Sequence, residues 1–267
     1  MKVQVCCVAL LLSAGAVRAD IVDDFESYEI GSAPGGVWQD AAAFISDPTN
    51  PAPTVTMIST QDAHGAATRA VQITDALGTS GGIAAEIEHQ RVQRFETDLR
   101  FDQASDGNYP NWIAAAGFFQ VTDQADLITM PQALIYSLNS SRQFRLYVHN
   151  ADGRGGRTLD VSLGSATWEF DRWYRVVFEV DTELGSFSST IVDLESGETL
   201  IESTRTMANW NAEFGQFDLV SVNDGEYGTN AGTRGNMVSI DNAKYTPAPG
   251  TVGVMGCAGL LGMRRRR

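Results

Sequence analysis

From Arg94 to Asp102 the chain reads RFETDLRFD, which puts Phe95, Leu99 and Phe101 on one side of an extended backbone and Glu96, Asp98, Arg100 and Asp102 on the other. The same two-residue period runs through QFRLYVH (143–149), WYRVVFEVD (173–181), FSSTIVDL (187–194) and QFDLVSVND (216–224). Successive side chains of an extended chain point to opposite faces, so this period predicts half-buried antiparallel strands. No segment of 20–247 sustains the 3.6-residue apolar period of an amphipathic helix. Turn formers separate the runs: DGN at 106–108, NSS at 139–141, ADGRGG at 151–156 and ESGE at 195–198. About a dozen to fourteen strands fit at this spacing, which predicts an all-β fold, a two-sheet antiparallel β-sandwich.

The two ends follow other rules. Met1 to Ala19 carries Lys2, the apolar run VCCVALLLSAGAV and small residues at Val17 and Ala19, the pattern of a secretory signal peptide cut by signal peptidase between Ala19 and Asp20. At the far end, Pro247, Pro249 and Gly250 precede an apolar stretch over 251–263 and then Arg264, Arg265, Arg266 and Arg267. As a hydrophobic helix that stretch is about 20 Å long, short against the ~20 residues of an ordinary transmembrane helix. The arginines would hold its end on the cytoplasmic side. The expected organisation is a signal peptide (1–19), one sandwich domain (20–246) and a sorting or anchor segment (247–267).

Charge narrows the partners. The two end segments hold six of the 19 basic residues and none of the 33 acids, leaving a body with a formal charge of −20. Such a body excludes nucleic acid and disfavours an anionic bilayer surface. It suits neutral polysaccharide and divalent cations. Cys6, Cys7 and Cys257 all lie in the end segments. The body therefore has no disulfide framework and no thiolate nucleophile or metal ligand, and must be stable by core burial alone.

The tail resembles the PEP-CTERM sorting signal of Gram-negative and related bacteria, in which a Pro-Glu-Pro motif precedes a short hydrophobic segment and an arginine cluster. This chain has Ala248 in place of the glutamate. The resemblance implies export to the cell envelope, cell surface or extracellular matrix, with an exosortase-type processing enzyme as a partner besides the export machinery. In the body, DDFESYEIGSAPGGVW (23–38), the segment 171–200 and VSIDNAKY (238–245) resemble the opening, central and closing strands of concanavalin A-like (laminin-G-like) jelly rolls of secreted bacterial proteins. That family includes carbohydrate-binding modules, adhesins, hydrolases and lyases, so the fold does not choose among them.

Candidate chemistry is sparse. Glu86 and Glu88 in EIEHQR share a strand side, but Arg91 stands where the carboxylate motif of jelly-roll glucanases would need its third acid. His64, His89 and His149 lie scattered among polar neighbours and read as surface residues. No Gly-x-Ser-x-Gly elbow, His-Glu-x-x-His or phosphate loop occurs, so no catalytic residue is assigned and no cofactor is required. If the first and last strands pair, as in the jelly rolls that this chain resembles, Asp24, Glu26, Asp241 and Asn242 would meet at one seam. Oxygen donors of that kind suit a structural calcium ion (Ca2+), and solvated edge charges are the alternative. Trp38, Trp168 and Trp173 fit core positions. Tyr109, Trp112 and Trp210 stand among polar loop formers, where aromatic rings can stack on sugars. The expected function is a non-catalytic, glycan-binding or adhesive protein of the surface or matrix. A polysaccharide lyase or glycoside hydrolase with an unrecognised site, and a purely structural matrix protein, are the alternatives.

Overall fold

The computed structural model describes residues 20–40, 54–74, 80–102, 112–120, 130–138, 141–149, 159–207, 210, 212, 216–225 and 237–247. The expected signal peptide, the C-terminal hydrophobic segment and Tyr109 lie outside them. Among the described residues, no helix is long and apolar enough to cross a membrane.

The period-2 runs form strands. In chain order these are β1 (Ile21–Asp23), β2 (Gln39–Asp40), β3 (Thr54–Gln61), β4 (Ala67–Thr74), β5 (Ser80–Glu86), β6 (Val92–Asp102), β7 (Trp112–Phe119) and β8 (Met130–Leu138). Then follow β9 (Ser141–His149), β10 (Leu159–Ser162), β11 (Trp173–Asp181), β12 (Ser186–Asp193), β13 (Thr199–Thr206), β14 (Leu219–Gly225) and β15 (Met237–Pro247). They pair antiparallel into two sheets. One runs β13-β12-β11-β6-β15-β4-β3, with β1 also on β15, and the other runs β10-β9-β8-β7-β14-β5-β2. This is the expected two-sheet sandwich.

The inward faces meet in one core. Phe95, Leu99 and Phe101 of β6 and Tyr174, Val176, Phe178 and Val180 of β11 are buried against Phe118, Phe144, Val220 and Val222 of the facing sheet. Phe118 alone packs on Phe95, Phe178, Phe217 and Tyr245 at centroid distances of 5.9–6.5 Å. Trp38 and Trp168 are buried in the same core.

The outward face of the first sheet breaks the alternation rule. Asp98 and Asp102 point away from the core yet are only 3% and 6% exposed. The cause is the β3–β4 hairpin. β4 pairs with β15 only from Val71 to Thr74, so its other half and the turn are free to curl over the sheet. The hairpin end reaches across β15 and β6: Thr60 Oγ1 accepts a bond from Arg100 (2.8 Å), and the Gln61 carbonyl accepts the Trp173 indole N–H (2.8 Å). Trp173, expected in the core, is buried beneath this roof instead, with the Arg100 guanidinium 4.9 Å from its ring centroid.

Candidate functional site

β1 lies along the second half of β15, with Ile21 opposite Tyr245 and Asp23 opposite Ala243. First and last strands thus pair as the resemblance implied. The expected alternation through DDFES does not continue. The Asp23 carboxylate accepts the Phe25 N–H (2.9 Å), Phe25 turns to φ 57° and its ring is fully buried, so Asp24 and Glu26 leave the strand. The same carboxylate accepts the Trp38 indole N–H (3.0 Å) and the Tyr28 hydroxyl (2.8 Å). One carboxylate therefore holds two aromatic side chains and the backbone of a third aromatic residue, pairing the Trp38 and Phe25 N–H groups that burial would otherwise leave without an acceptor.

The seam beside it is crowded but closed. β15 carries a bulge between Asp241 and Lys244, with Asn242 at φ 51°. Asp241 faces Asp98 across the β6 pairing. Arg175 binds Asp98 with two bonds of 2.7 and 2.8 Å, and the Asn242 amide donates to the same carboxylate at 2.9 Å. Asp241 Oδ1 accepts the Asn242 N–H (2.7 Å), and its Oδ2 lies 3.2 Å from Thr68 Oγ1. Glu26 Oε1 sits 2.7 Å from that same hydroxyl and accepts the Arg69 N–H at 2.8 Å. A hydroxyl has one hydrogen. With Thr68 donating to the nearer Glu26, the Asp241 contact is a hydrogen bond only when Asp241 keeps its own proton. Burial drives its pKa up to about 7, aided by the charges of Asp98 and Glu26.

This arrangement does not fit calcium. Of the expected set, Glu26, Asp241 and Asn242 come together, whereas Asp24 accepts the Glu26 N–H (3.2 Å) in an exposed turn. Asn242 spends its amide on Asp98, and the Arg175 guanidinium supplies the positive charge that a metal would bring. Among the described residues, no group of three His, Cys, Asp or Glu side chains could hold a metal ion.

The predicted aromatics part ways. Trp210 folds back on the sandwich end: its indole N–H donates to the Thr182 carbonyl (2.7 Å), and its ring meets Phe187 edge-on at 5.3 Å. A Cβ on Gly185, at φ +62°, would sit 2.3 Å from that ring, so glycine is required there. Trp210 is thus a packing residue rather than a free sugar platform. Trp112 opens β7.

The open site is elsewhere, in a cleft of about 440 Å³ where β1 and the end of β15 meet the end of β5. This volume falls in the range of small-molecule sites. Tyr28, Tyr245, Val22 and Val37 wall it, and Asp20, Glu86 and Glu88 stand at it. Val22 and Val37 are 70% and 48% exposed. Both tyrosines stay un-ionised. Burial and the Asp23 bond push Tyr28 up to about 12, and burial raises Tyr245. Glu86 and Glu88, which lack the third acid of a glucanase motif, belong to this cleft. Both are exposed, one on each side of buried Ile87, and the face they share is a wall of the cleft. Their shared side was visible in EIEHQR. The aromatic wall, which comes from strands far apart in the chain, was not.

No protein-family model matches the chain, and no curated protein matches it by sequence. Solved structures do. The exoplasmic/lumenal domain of VIP36, in a Ca2+/Man-bound form, superposes with a TM-score of 0.53 at 10% identity, over 85% of this chain and 89% of that one. The lectin UEA-II complexed with galactose gives 0.52 at 8% identity, over 86% and 99%. A sialidase is matched over only 17% of its length, with a TM-score of 0.44 at 13% identity over 71% of this chain. At these identities the likeness is one of fold, and the fold is the lectin-like, concanavalin A-like β-sandwich.

Proposed function

We propose that this is an exported, non-catalytic glycan-binding protein of the cell surface or extracellular matrix, and that its sandwich engages sugar at the β1–β5–β15 cleft. In this reading Met1–Ala19 directs export and is removed before Asp20. The segment from Pro247 to Arg267 then addresses the protein to the envelope through an exosortase-type enzyme. The observation that carries the binding role is the cleft itself: the exposed Val22 and Val37 and the part-buried Tyr28 beside acceptor carboxylates, on a lectin-like sandwich. Apolar surface suits the C–H face of a pyranose, and carboxylates accept its hydroxyl hydrogens. The carboxylates that stand closest in register, Asp98 and Asp241, support a non-catalytic role, because both are buried and bonded to neighbours. Trp112 remains a second candidate platform at the start of β7.

Retention of the purified full chain on a panel of insoluble and immobilised polysaccharides tests this. Retention on at least one glycan, lost in Val37→Asp and kept in Trp112→Ala, is the expected result. Loss in Trp112→Ala alone would move the site to the β7 end. No retention anywhere, with the fold intact, would overturn the binding role and favour a structural matrix protein. Release of soluble product would make the protein an enzyme.

A further inference from the structure

We infer that the cleft selects a saccharide bearing a free amine, a hexosamine-type ammonium sugar, over neutral or acidic sugars; the inference rests on the glycan-binding reading above. Its charge is one-sided. Asp20, Asp23, Glu86 and Glu88 are the charged residues of its lining, with no lysine, arginine or histidine among them. Asp23 is spent on Phe25, Tyr28 and Trp38. The carboxylates of the other three have neither ion-pair nor hydrogen-bond partners among the described residues, the Tyr245 hydroxyl donating to the backbone carbonyl of Glu88.

Several other acids at the surface are held in ion pairs. Arg91 binds Asp181 and Glu183, Arg94 binds Glu96, and Arg172 binds Glu169, Asp193 and Glu195. Arg91 is only three residues beyond Glu88 in sequence, yet it turns to Asp181 and leaves the cleft uncompensated.

The three carboxylates also do not converge. They form no group able to hold a metal ion, although the charges of Glu88 and Asp20 both act on the Tyr245 hydroxyl. Carboxylates spread around an apolar wall complement a cation that is itself attached to an apolar body. A sugar ring carrying an ammonium group has that form. The ring lies on Val22, Val37 and Tyr28, while the ammonium group donates to the carboxylate beside it and is attracted by the charge of the others. A uronate sugar would bring a fourth unpaired negative charge to the same place.

Calorimetric titration of the full chain with glucosamine trimer and with its N-acetylated counterpart tests this. Short soluble ligands are needed because an acidic protein would retain a long polycation anywhere on its surface. The amine form should bind about tenfold tighter, the scale of one charge-assisted hydrogen bond, and added salt should erode the preference. The double variant Glu86→Gln/Glu88→Gln should abolish it. A control with the same charge loss elsewhere, Glu198→Gln/Glu202→Gln, should leave it intact. Equal affinity for the two trimers, or equal loss in both double variants, would overturn the inference. If polysaccharide retention survives that result, the glycan-binding reading stands. If the chain binds neither trimer nor any polysaccharide, both fall.

Discussion

The seam under the β3–β4 hairpin and the cleft beside β1 are built from the same residue types within one neighbourhood of β15, yet they differ in every consequence. At the seam, each carboxylate meets a guanidinium, an amide or a hydroxyl, and a roof excludes water. At the cleft, three carboxylates have no partner among the described residues, and Val22 and Val37 stay exposed. The difference lies in the partners. The seam has Arg175 and Asn242 aimed at its carboxylates, whereas no arginine, lysine or histidine lines the cleft among the described residues. Acidic side chains alone therefore do not mark a binding site in this molecule. What distinguishes the second region is that its acids stand on an apolar cleft with no basic residue in the lining.

Breaking the seam should cost most. Arg175→Ala leaves Asp98, 3% exposed, with the Asn242 amide as its one remaining side-chain donor among the described residues, and should destabilise the fold by about 3 kcal/mol, near the low end for breaking a buried pair because Arg175 is part-exposed. Urea unfolding would measure this. A loss under about 0.5 kcal/mol would mean the seam is as wet as the cleft.

Next is the post between the two regions. Asp23→Ala orphans the buried Trp38 indole N–H and the Phe25 amide, for a loss of about 2 kcal/mol. Because Tyr28 also walls the cleft, the same variant should weaken sugar retention. Unchanged retention would separate the post from the wall.

The smallest effect is a pH dependence. Asp241 is held protonated up to about pH 7 in the folded chain by burial, with Glu26 and Asp98 adding to this and Arg175 standing by on Asp98. An acid with a raised folded pKa contributes stability that is whole below its unfolded pKa of about 4 and is lost as pH climbs to the folded value. Asp241→Asn keeps a neutral group that can donate to Thr68. Its melting temperature should gain on the wild type between about pH 4.5 and 7 and hold that lead above. A constant gap across this range would show that Asp241 ionises like a solvated acid.

Much of the sandwich was legible in the chain. Period-2 alternation located β6, β9, β11 and β12 to within a residue or two, because strand polarity is a local property. The pairing of first and last strands came from a resemblance and holds. The roof did not show, since nothing in the polarity of TVTMISTQ says that the hairpin curls over its own sheet; Asp98 and Asp102 were accordingly expected in water. Trp210 misled for the same reason. Its sequence neighbours are polar, but its true neighbours, Gly185 and Phe187, are more than twenty residues away. Asp23 gave no signal, because a carboxylate that binds Tyr28, Trp38 and the Phe25 backbone through a turn looks in sequence like any other acid near a Phe.

The place of β15 governs the order in which the molecule can be made. Met237–Pro247 lies between β6 on one side and β4 with β1 on the other, so the centre of one sheet is supplied by the last described strand. A chain emerging N-terminus first carries β4 and β6 with open edges, and its pairings span most of its length, a topology that folds slowly. Until those final residues arrive, neither the seam nor the cleft has its floor. A product truncated before Met237 would keep β13-β12-β11-β6 and the facing sheet but leave β6 and β4 with the open edges that β15 joins.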